Sequence, residues 1–440
     1  MKLWYACTTN LVDGNRHMPL VLGNKGASLS GICEIGLKVP SAFILPTEIS
    51  RHYYKTNTLP PGTSKAIRDG IEHIDNYRFN RFNVSNFMLS IRSSPCESMP
   101  GMMDTILNVL PDPEQVESMV KRVLDSWNNE RSRAYRKLNG ISDEHGTAVV
   151  VQLMVFGDLD KYSGTGVVFS RNPINGDARI FGEWLPEAQG DDLVSGLVTP
   201  EPIDSMEYTL SHSYQRVTRA CSKLEALYKD AQDIEFTIQG GDVYILQTRT
   251  AKRTAEAALK IAVSMVGEKL ITIQDALSRV TDEQIKRVSL PKIEIDVNSL
   301  TEGLPASPGV VTGAIALSSE AAVALNDDGQ NVILVRKETS PKDILGINAA
   351  NGILTSIGGM TSHAAIIARD MDKPCVVGCS KIVIDQCYGT VDINGSMFRT
   401  GDIITIDGST GAVYLGYVPT VPTEQSNDIK TFLRWKEGPK

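Results

Sequence analysis

Long hydrophobic runs are missing from this sequence of 440 residues. No window approaches the ~18 consecutive apolar residues that a transmembrane helix requires, so we expect no membrane span and no membrane partner. Met1 to Asn10 contain one lysine and no long apolar stretch, which argues against a secretory signal peptide. We therefore expect a cytoplasmic protein.

Paired cysteines are missing as well. The seven cysteines are odd in number and widely scattered, which argues against a disulfide framework and favours reduced thiols. Cys375, Cys379 and Cys387 lie close together but lack a CxxC pair or a companion histidine. A zinc site formed by these three is therefore the weaker interpretation.

Runs of positive charge are also absent. The chain has 44 Lys and Arg against 52 Asp and Glu, for a formal net charge of -8. A mildly acidic protein does not attract a polyanion through its overall field, so we expect no nucleic-acid partner. The content of 42% hydrophobic and 22% charged residues indicates a globular protein with sizeable cores.

Apolar periodicity and turn residues predict an α/β protein of two or three domains. A helix is expected from Pro113, with Asp112 as its N-cap, and a hairpin is expected to turn at Gly240-Gly241. Further helices are expected after the loop 22–27 and over 251–290 and 361–370. The predicted strands are 87–92, 148–156, 164–170, 179–184, 232–238, 242–248, 310–317, 331–335, 352–355, 375–377, 403–406 and 412–415.

The strongest chemical signal is Gly358-Gly359-Met360-Thr361-Ser362-His363-Ala364-Ala365. Two glycines leave backbone N–H groups free, and Thr361 or Ser362 can cap a helix that follows. His363 then lies in the first turn, where the helix dipole and the unpaired N–H groups favour an anion. A neutral imidazole there can attack a phosphoryl group. A buried histidine that only hydrogen-bonds its neighbours is the alternative, which the Gly-Gly-Met-Thr-Ser context disfavours.

A second group of charged residues falls on the predicted hairpin. Asp233 and Glu235 share one strand face, and Gln247 and Arg249 share a face of the partner strand. Carboxylate and amide oxygens suit Mg²⁺, and Arg249 can neutralise charge on a group in transfer. A cross-strand surface ion pair is the alternative.

Several motifs together resemble the pyruvate, phosphate dikinase family. The resemblance runs over nearly all 440 residues at scattered but specific positions. In the second half the matching segments are 303–309, 338–341, 352–355, 359–365, 368–369, 373–375 and 407–411, which resemble the family's phosphohistidine domain. In the first half they are 23–26, 90–93, 98–105, 163–167, 170–173, 182–183, 188–190, 233–237 and 247–249, which resemble its ATP-grasp domain.

The resemblance implies an ATP-grasp nucleotide-binding domain at 1–250, with two subdomains split near 105–145. A helical linker at 251–300, a compact β/β/α-type swivelling phosphohistidine domain at 301–420 and a tail at 421–440 follow. It also implies ATP as substrate, Mg²⁺ as cofactor and transfer of a phosphoryl group to His363.

The resemblance further assigns roles to individual residues. Arg92 and Arg249 are expected to act in catalysis beside His363, and Thr361 matches a threonine whose phosphorylation regulates some plant members. Asp233, Glu235 and Gln247 are the expected metal ligands. The expected nucleotide-binding residues are Lys25, Arg92, Met103, Glu183, Gln189, Asp233, Glu235, Gln247 and Arg249; Arg131 matches another family arginine.

The sequence also departs from the family. Cys96 stands where the family usually has an arginine before the Met-Pro-Gly loop, which leaves inorganic phosphate or water open as co-substrate. Ile357 replaces another arginine, and the connection from Thr105 to Pro113 is much shorter, so we expect a helical subdomain to be missing.

About 20 residues follow Thr420, whereas a (β/α)₈ barrel for pyruvate needs about 250. The acceptor of the phosphoryl group is therefore expected on a separate barrel protein or to be another small molecule. A catalytically degenerate nucleotide-binding relic is the third hypothesis, and a homodimer stays open.

Overall fold

Helices and sheets alternate throughout the part of the chain that is described, and the expected α/β fold class is confirmed. The computed structural model describes residues 2–9, 11–79, 87–99, 101–190, 192, 200–288, 292–293, 298–385, 388–421 and 426–437. Within these ranges no helix has both the length and the apolarity that crossing a bilayer requires.

The first sheet along the chain is a six-stranded antiparallel sheet with the strand order β2-β1-β3-β6-β4-β5. Its strands are β1 Tyr5–Thr8, β2 Leu11–Val12, β3 Ala42–Leu45, β4 Leu89–Pro95, β5 Thr105–Val109 and β6 Thr147–Leu153. Its helices are α1 Pro19–Glu34, α2 Thr47–Thr56, α3 Thr63–Phe79, α4 Pro113–Asp125 and α5 Glu130–Asn139, with a 3-10 turn at Ser126–Asn128. The N–H of Gln115 donates to Asp112 Oδ1 at 2.8 Å, so the predicted cap of α4 is confirmed.

A five-stranded antiparallel sheet follows, in the order β11-β10-β7-β8-β9. Its strands are β7 Gly164–Phe169, β8 Phe181–Pro186, β9 Glu201–Pro202, β10 Gln232–Gln239 and β11 Asp242–Thr250. A 3-10 turn at Ile203–Ser205 and the helices α6 Met206–Thr209 and α7 Ser211–Tyr228 accompany it. Gly240 and Gly241 have φ of 54° and 81°. These left-handed values are those of a type I′ turn, and the predicted hairpin is confirmed.

Helix α1 joins the two sheets. Leu22, Leu29 and Ile32 on this helix share one buried core with Ile44 of β3 and Ile234 of β10. The loop at the start of α1, the end of β4 and the β10–β11 hairpin therefore lie close together between the sheets, in a region called the cleft hereafter.

The predicted helical stretch 251–290 consists of α8 Ala255–Gly267, α9 Ile273–Arg279 and α10 Asp282–Val288. The strand β12 Lys292–Ile293 follows. Residues 289–291 and 294–297 of the predicted linker 251–300 lie outside the described residues.

The second half of the chain contains an eight-stranded mixed sheet in the order β13-β23-β22-β15-β16-β17-β18-β14. Its strands are β13 Thr301–Glu302, β14 Leu304–Ser307, β15 Val310–Ala316, β16 Val332–Arg336, β17 Gly352–Thr355, β18 Cys375–Val377, β22 Ile403–Asp407 and β23 Ala412–Leu415. Its helices are α11 Ser319–Asp327, α12 Ile344–Ala349 and α13 His363–Asp370, with a 3-10 turn at Pro341–Asp343. The expectation of a single helix among these strands was wrong, because α11 and α12 join α13.

A three-stranded antiparallel sheet was not predicted. It consists of β19 Ile382–Asp385, β20 Thr390–Ile393 and β21 Ser396–Arg399. The last strand, β24 Thr420–Val421, pairs with β12. The polar segment beyond it contains the helix α14 Asn427–Glu437, whose Ile429 and Phe432 are buried in one core with α8.

Candidate active site

A glycine turn fixes the lysine loop against the end of β4. Gly23 has φ of 66°, and a Cβ placed there would lie 1.7 Å from the carbonyl oxygen of Ser94. Ser94 Oγ donates to the carbonyl of Leu22 at 3.0 Å and accepts the N–H of Gly26 at 3.2 Å. The loop that carries Lys25 is therefore held beside the strand that carries Arg92.

Lys25 has no hydrogen bond or ion pair with any described residue. Burial, together with the positive charges of Arg92 and Arg249, lowers the pKa of its ammonium to about 7, and the carboxylate of Glu235 opposes part of this shift. An ammonium group among other cations, without a fixed anion of its own, is suited to an anionic ligand such as a polyphosphate.

The β10–β11 hairpin sets two polar pairs opposite each other. Asp233 faces Arg249 and Glu235 faces Gln247 in the strand register. Arg249 Nε donates to Asp233 Oδ2 at 2.7 Å, and Arg92 Nη2 of the other sheet donates to Glu235 Oε2 at 3.1 Å. Burial would raise the pKa of Glu235, but Arg92 and Arg249 outweigh it and hold that pKa below its ordinary value. These contacts link the two sheets across the cleft.

Two oxygens on this hairpin are buried without partners. Asp233 Oδ1 and Gln247 Oε1 have no hydrogen bond to any described residue, and burial raises the pKa of Asp233. A buried oxygen without a donor costs free energy that a cation would offset. With the carboxylate of Glu235 nearby, the donor set consists of hard oxygens and fits Mg²⁺.

His363 is the first residue of α13, whose N-cap is Ser362 and not Thr361. Its Nδ1 lies 3.1 Å from Thr339 Oγ1, and its Nε2 is buried with no hydrogen bond to a described residue. Burial lowers the pKa of the imidazole to about 4, so the ring is neutral near pH 7. With Nδ1 engaged by Thr339, Nε2 is the nitrogen free to act as nucleophile.

The glycine-rich segment before His363 contacts the second sheet directly. Glu183 Oε1 accepts the N–H of Met360 at 2.9 Å, and Oε2 accepts both the N–H of Thr361 at 3.2 Å and its hydroxyl at 2.7 Å. At the other end of α13, Asp370 forms an ion pair with Lys252. The helix that carries His363 is thus fixed at both ends to the five-stranded sheet and the segment that follows it.

The loop around Gly101 lies beside His363. A Cβ on Gly101, whose φ is 70°, would be 2.8 Å from Pro341 Cγ and 4.0 Å from His363 Cδ2. The buried Met102 and Met103 share a core with residues of α13. The Met102 carbonyl accepts from Arg131 Nε at 2.9 Å, which fixes the loop from the other side.

Two comparisons with known proteins identify families and relatives that match these two halves of the chain. Residues 62–211 and 202–270 match the pyruvate phosphate dikinase AMP/ATP-binding domain family, and residues 328–411 match the mobile domain of PEP-utilising enzymes. Pyruvate, phosphate dikinase of Rickettsia typhi is 38% identical over 99% of this chain, and pyruvate, phosphate dikinase 2 of Zea mays is 36% identical over 96%.

The chain belongs to the pyruvate, phosphate dikinase family.

Its length differs from that of these dikinase relatives in two ways. The chain spans about three fifths of their length, 60% and 58% in the two cases. The span aligned with the Rickettsia dikinase is 533 positions and this chain has 440 residues, so at least 93 positions have no counterpart here. A gap of this size is consistent with the missing helical subdomain expected after Thr105, because only residues 110–112 separate β5 from α4.

Most residues expected from the dikinase resemblance come together in the structure. Lys25, Arg92, Asp233, Glu235, Gln247 and Arg249 line one cleft, and His363 lies at the contact between the halves. Glu183 and Met103 lie at that contact as well, and their role in nucleotide binding stays a prediction. Gln189 Nε2 donates to Asp158 Oδ1 at 2.6 Å and forms no hydrogen bond or ion pair with the charged cluster within the described part of the chain.

Sequence reasoning missed two contacts of the histidine. Neither the hydroxyl of Thr339 at Nδ1 nor the carboxylate of Glu183 at the glycine segment was expected. Thr339 belongs to the matched segment Glu338-Thr339-Ser340-Pro341, and that match was the signal available.

Proposed function

We propose that this protein is an ATP-dependent phosphotransferase in which His363 accepts a phosphoryl group from ATP and passes it to an acceptor. The observation that carries the proposal is the unpartnered Nε2 of a neutral imidazole at the contact with the nucleotide-binding half. Membership of the dikinase family supports phosphotransfer through a histidine domain. The units expected to act are residues 1–250, the linker 251–300 and the swivelling domain 301–420.

The charged cleft is the proposed ATP site. Lys25, Arg92 and Arg249 would hold the phosphates, since guanidinium groups bind phosphate through two N–H donors at once. Glu235, Gln247 and Asp233 would hold Mg²⁺, which when bound neutralises charge on the phosphate oxygens. Binding a polyphosphate here also gives the free ammonium of Lys25 a partner.

Transfer to His363 is a displacement at phosphorus. The lone pair of Nε2 forms the N–P bond as the P–O bond to the leaving phosphate breaks, and the leaving oxygen keeps the electron pair. Thr339 Oγ1 would accept the Nδ1–H hydrogen bond and stabilise the positive charge that the ring gains. Positioning and charge neutralisation supply most of the rate in such reactions. If the chemistry follows the dikinase, the β-phosphoryl group ends on His363 and AMP leaves, while the γ-phosphoryl group passes to inorganic phosphate to give pyrophosphate or to water to give phosphate.

The proposed acceptor of the second transfer is pyruvate bound to a separate barrel protein, with another small molecule as the alternative. Swivelling of the domain would carry His363 away from the nucleotide cleft. The contacts of Glu183 with the segment before α13 and of Lys252 with the end of α13 would have to open for this movement.

The proposal is tested by incubating the protein with Mg²⁺ and ATP labelled at the β- or the γ-phosphorus, with and without inorganic phosphate. We expect an acid-labile phosphoprotein in wild type and none in His363→Ala, while the control His212→Asn, on an exposed histidine of α7, labels as wild type. Equal labelling of His363→Ala, or no labelling at all with a folded protein that binds ATP, would exclude the proposal. The second outcome is the one that a degenerate nucleotide-binding relic would give.

A further inference from the structure

A cluster of three metal-ligating side chains lies outside the ATP cleft. The ligand atoms of Cys96, Glu97 and His145 all lie within 4.8 Å of one another. His145 Nδ1 is 3.4 Å from Glu97 Oε1. No role in the proposed phosphotransfer uses any of the three.

The sheet brings these residues together. Pro95, the last residue of β4, pairs with Thr147, the first residue of β6. Residues 96 and 97 form a bend directly after the strand, so these neighbours need not point to opposite faces as they would in a strand. His145 lies two residues before β6, where its carbonyl accepts from Arg51 Nε at 3.3 Å. A thiol and a carboxylate from one strand end therefore face an imidazole from the neighbouring strand.

The imidazole nitrogen that faces the cluster is not satisfied by hydrogen bonds. His145 Nδ1 is buried and has no hydrogen-bond partner among the described residues, although the side chain as a whole is 36% exposed. A weak surface ion pair with Glu97 explains the approach of the two side chains but not the thiol beside them. Zn²⁺ accepts thiolate, imidazole and carboxylate ligands, and zinc sites with three protein ligands keep a fourth position open.

We propose that Cys96, Glu97 and His145 bind a divalent transition-metal ion, with Zn²⁺ the ion that this donor set fits best. Zinc–ligand distances of about 2.0–2.3 Å place ligand atoms about 3.5 Å apart, so small side-chain rotations close the site. The thiolate and imidazole separate it chemically from the all-oxygen Mg²⁺ set of the β10–β11 hairpin.

The bound ion would tie the start of the loop 98–104 to the sheet. Cys96 and Glu97 immediately precede this loop, and His145 belongs to the turn that leads into β6. Since Gly101 of the same loop lies beside Pro341 and His363, the ion would restrict the segment against which the histidine domain packs. The ion would also bring positive charge to the position where the family usually has an arginine.

Metal binding is tested on the full chain after chelation and dialysis, by titration with Zn²⁺ and by absorption spectroscopy with Co²⁺. We expect one Zn²⁺ per chain and a thiolate-to-cobalt charge-transfer band. Cys96→Ser and His145→Asn should weaken binding by more than about 100-fold, the upper end of the loss seen when only outer-shell partners are removed. The controls Cys221→Ala and His212→Asn should bind as wild type, because Cys221 is buried in α7 and His212 is exposed on it.

Two results would overturn the proposal: the absence of stoichiometric Zn²⁺ binding, or cobalt binding that lacks a thiolate band and survives Cys96→Ser. Circular dichroism confirms that each variant is folded. In hydrogen exchange, Zn²⁺ should slow the amides of residues 98, 99 and 101–104 in wild type and not in Cys96→Ser. Equal exchange with and without the ion would exclude the effect on the loop. No ATP is present in these measurements, so they are independent of the proposed phosphotransfer.

Discussion

The two sites of the proposed transfer differ in the charge of the side chains that form them. At the nucleotide end, Lys25, Arg92, Asp233, Glu235 and Arg249 place three cations and two carboxylates in one cleft, with ion pairs at 2.7 and 3.1 Å. At the histidine end, a neutral imidazole is held by one hydroxyl among buried methionines and alanines. The first arrangement suits a highly charged ligand, and the second keeps a nucleophile unprotonated. The comparison predicts that charge changes matter most at one end and hydrogen-bond changes at the other.

The largest effect is expected from Arg249→Met. Loss of an arginine that stabilises a transferring phosphoryl group costs about 10³–10⁵-fold in rate, so we expect phosphohistidine formation to slow by at least about 10³-fold in rapid-quench measurements. The substitution also leaves Asp233 buried without its partner, which is itself destabilising.

The double variant Asp233→Asn/Arg249→Met separates these two effects. It removes the stranded carboxylate, so its thermal stability should recover while its rate stays low. The control Arg216→Met removes a cation from a half-exposed pair with Asp242 and should leave the rate unchanged. A rate that recovers together with stability would show that Arg249 acts only on the fold.

A smaller effect is expected from Glu183→Ala, which removes the acceptor of three hydrogen bonds from the segment before His363. Hydrogen bonds to charged groups contribute about 1.5–3 kcal/mol each. The equilibrium constant between the docked and undocked arrangements of the two halves should therefore shift at least about 10-fold towards the undocked one. Fluorescence energy transfer between labels on the two halves measures that population. Glu72→Ala, on an exposed position of α3, is the control, and an unchanged distance distribution in Glu183→Ala would contradict the role of Glu183 in docking.

Thr339→Val tests the hydrogen bond at the histidine end. One neutral hydrogen bond contributes about 1 kcal/mol, so we expect the rate of phosphohistidine formation to fall by roughly 5–10-fold. Nitrogen NMR of His363 should show a lower fraction of the tautomer protonated at Nδ1. Thr339→Ser keeps the hydroxyl and should restore both properties; a valine variant with wild-type tautomer and rate would remove Thr339 from the account.

The smallest effect is a fraction of a proton taken up when ATP binds. The pKa of Lys25 is lowered to about 7 in the free protein, so at pH 8 its amine is mostly neutral. Bound phosphates raise that pKa and the amine gains a proton, so ATP affinity should decline as pH rises above 7. Calorimetry in buffers of different ionisation enthalpy measures the uptake, which Lys25→Arg should abolish; equal uptake in that variant would assign the proton to another group.

The sequence predicted the parts of the structure that depend on local patterns. The strands at 352–355, 375–377 and 412–415 have the predicted bounds, and the hairpin at Gly240-Gly241 has the backbone angles that its glycines favour. The three-stranded sheet β19–β21 was missed because its strands mix exposed apolar residues, Val383 and Met397, with polar ones such as Asp385, Asp392 and Arg399. Such strands lack the long apolar alternation on which prediction depends.

Contacts between distant segments were beyond local patterns. Thr339 and His363 are separated by 24 positions, and Glu183 and Met360 by 177. No periodicity or turn signal links residues at such separations, so the partners of the histidine emerged only from the fold. Residues within matching family motifs were predicted as candidates. The contact of Glu183 with the segment before His363 was not predicted.

The pairing of β12 with β24 has a consequence for how the histidine could travel. The chain enters and leaves the second half through two adjacent antiparallel strands, and α14 then returns to pack on α8. A rotation of that half would bend both connections at one place, so that the two strands would act as a single hinge. A domain fused after residue 437 would therefore be attached next to α8, which does not move with the histidine. The imidazole would then move between two sites whose positions are fixed relative to each other.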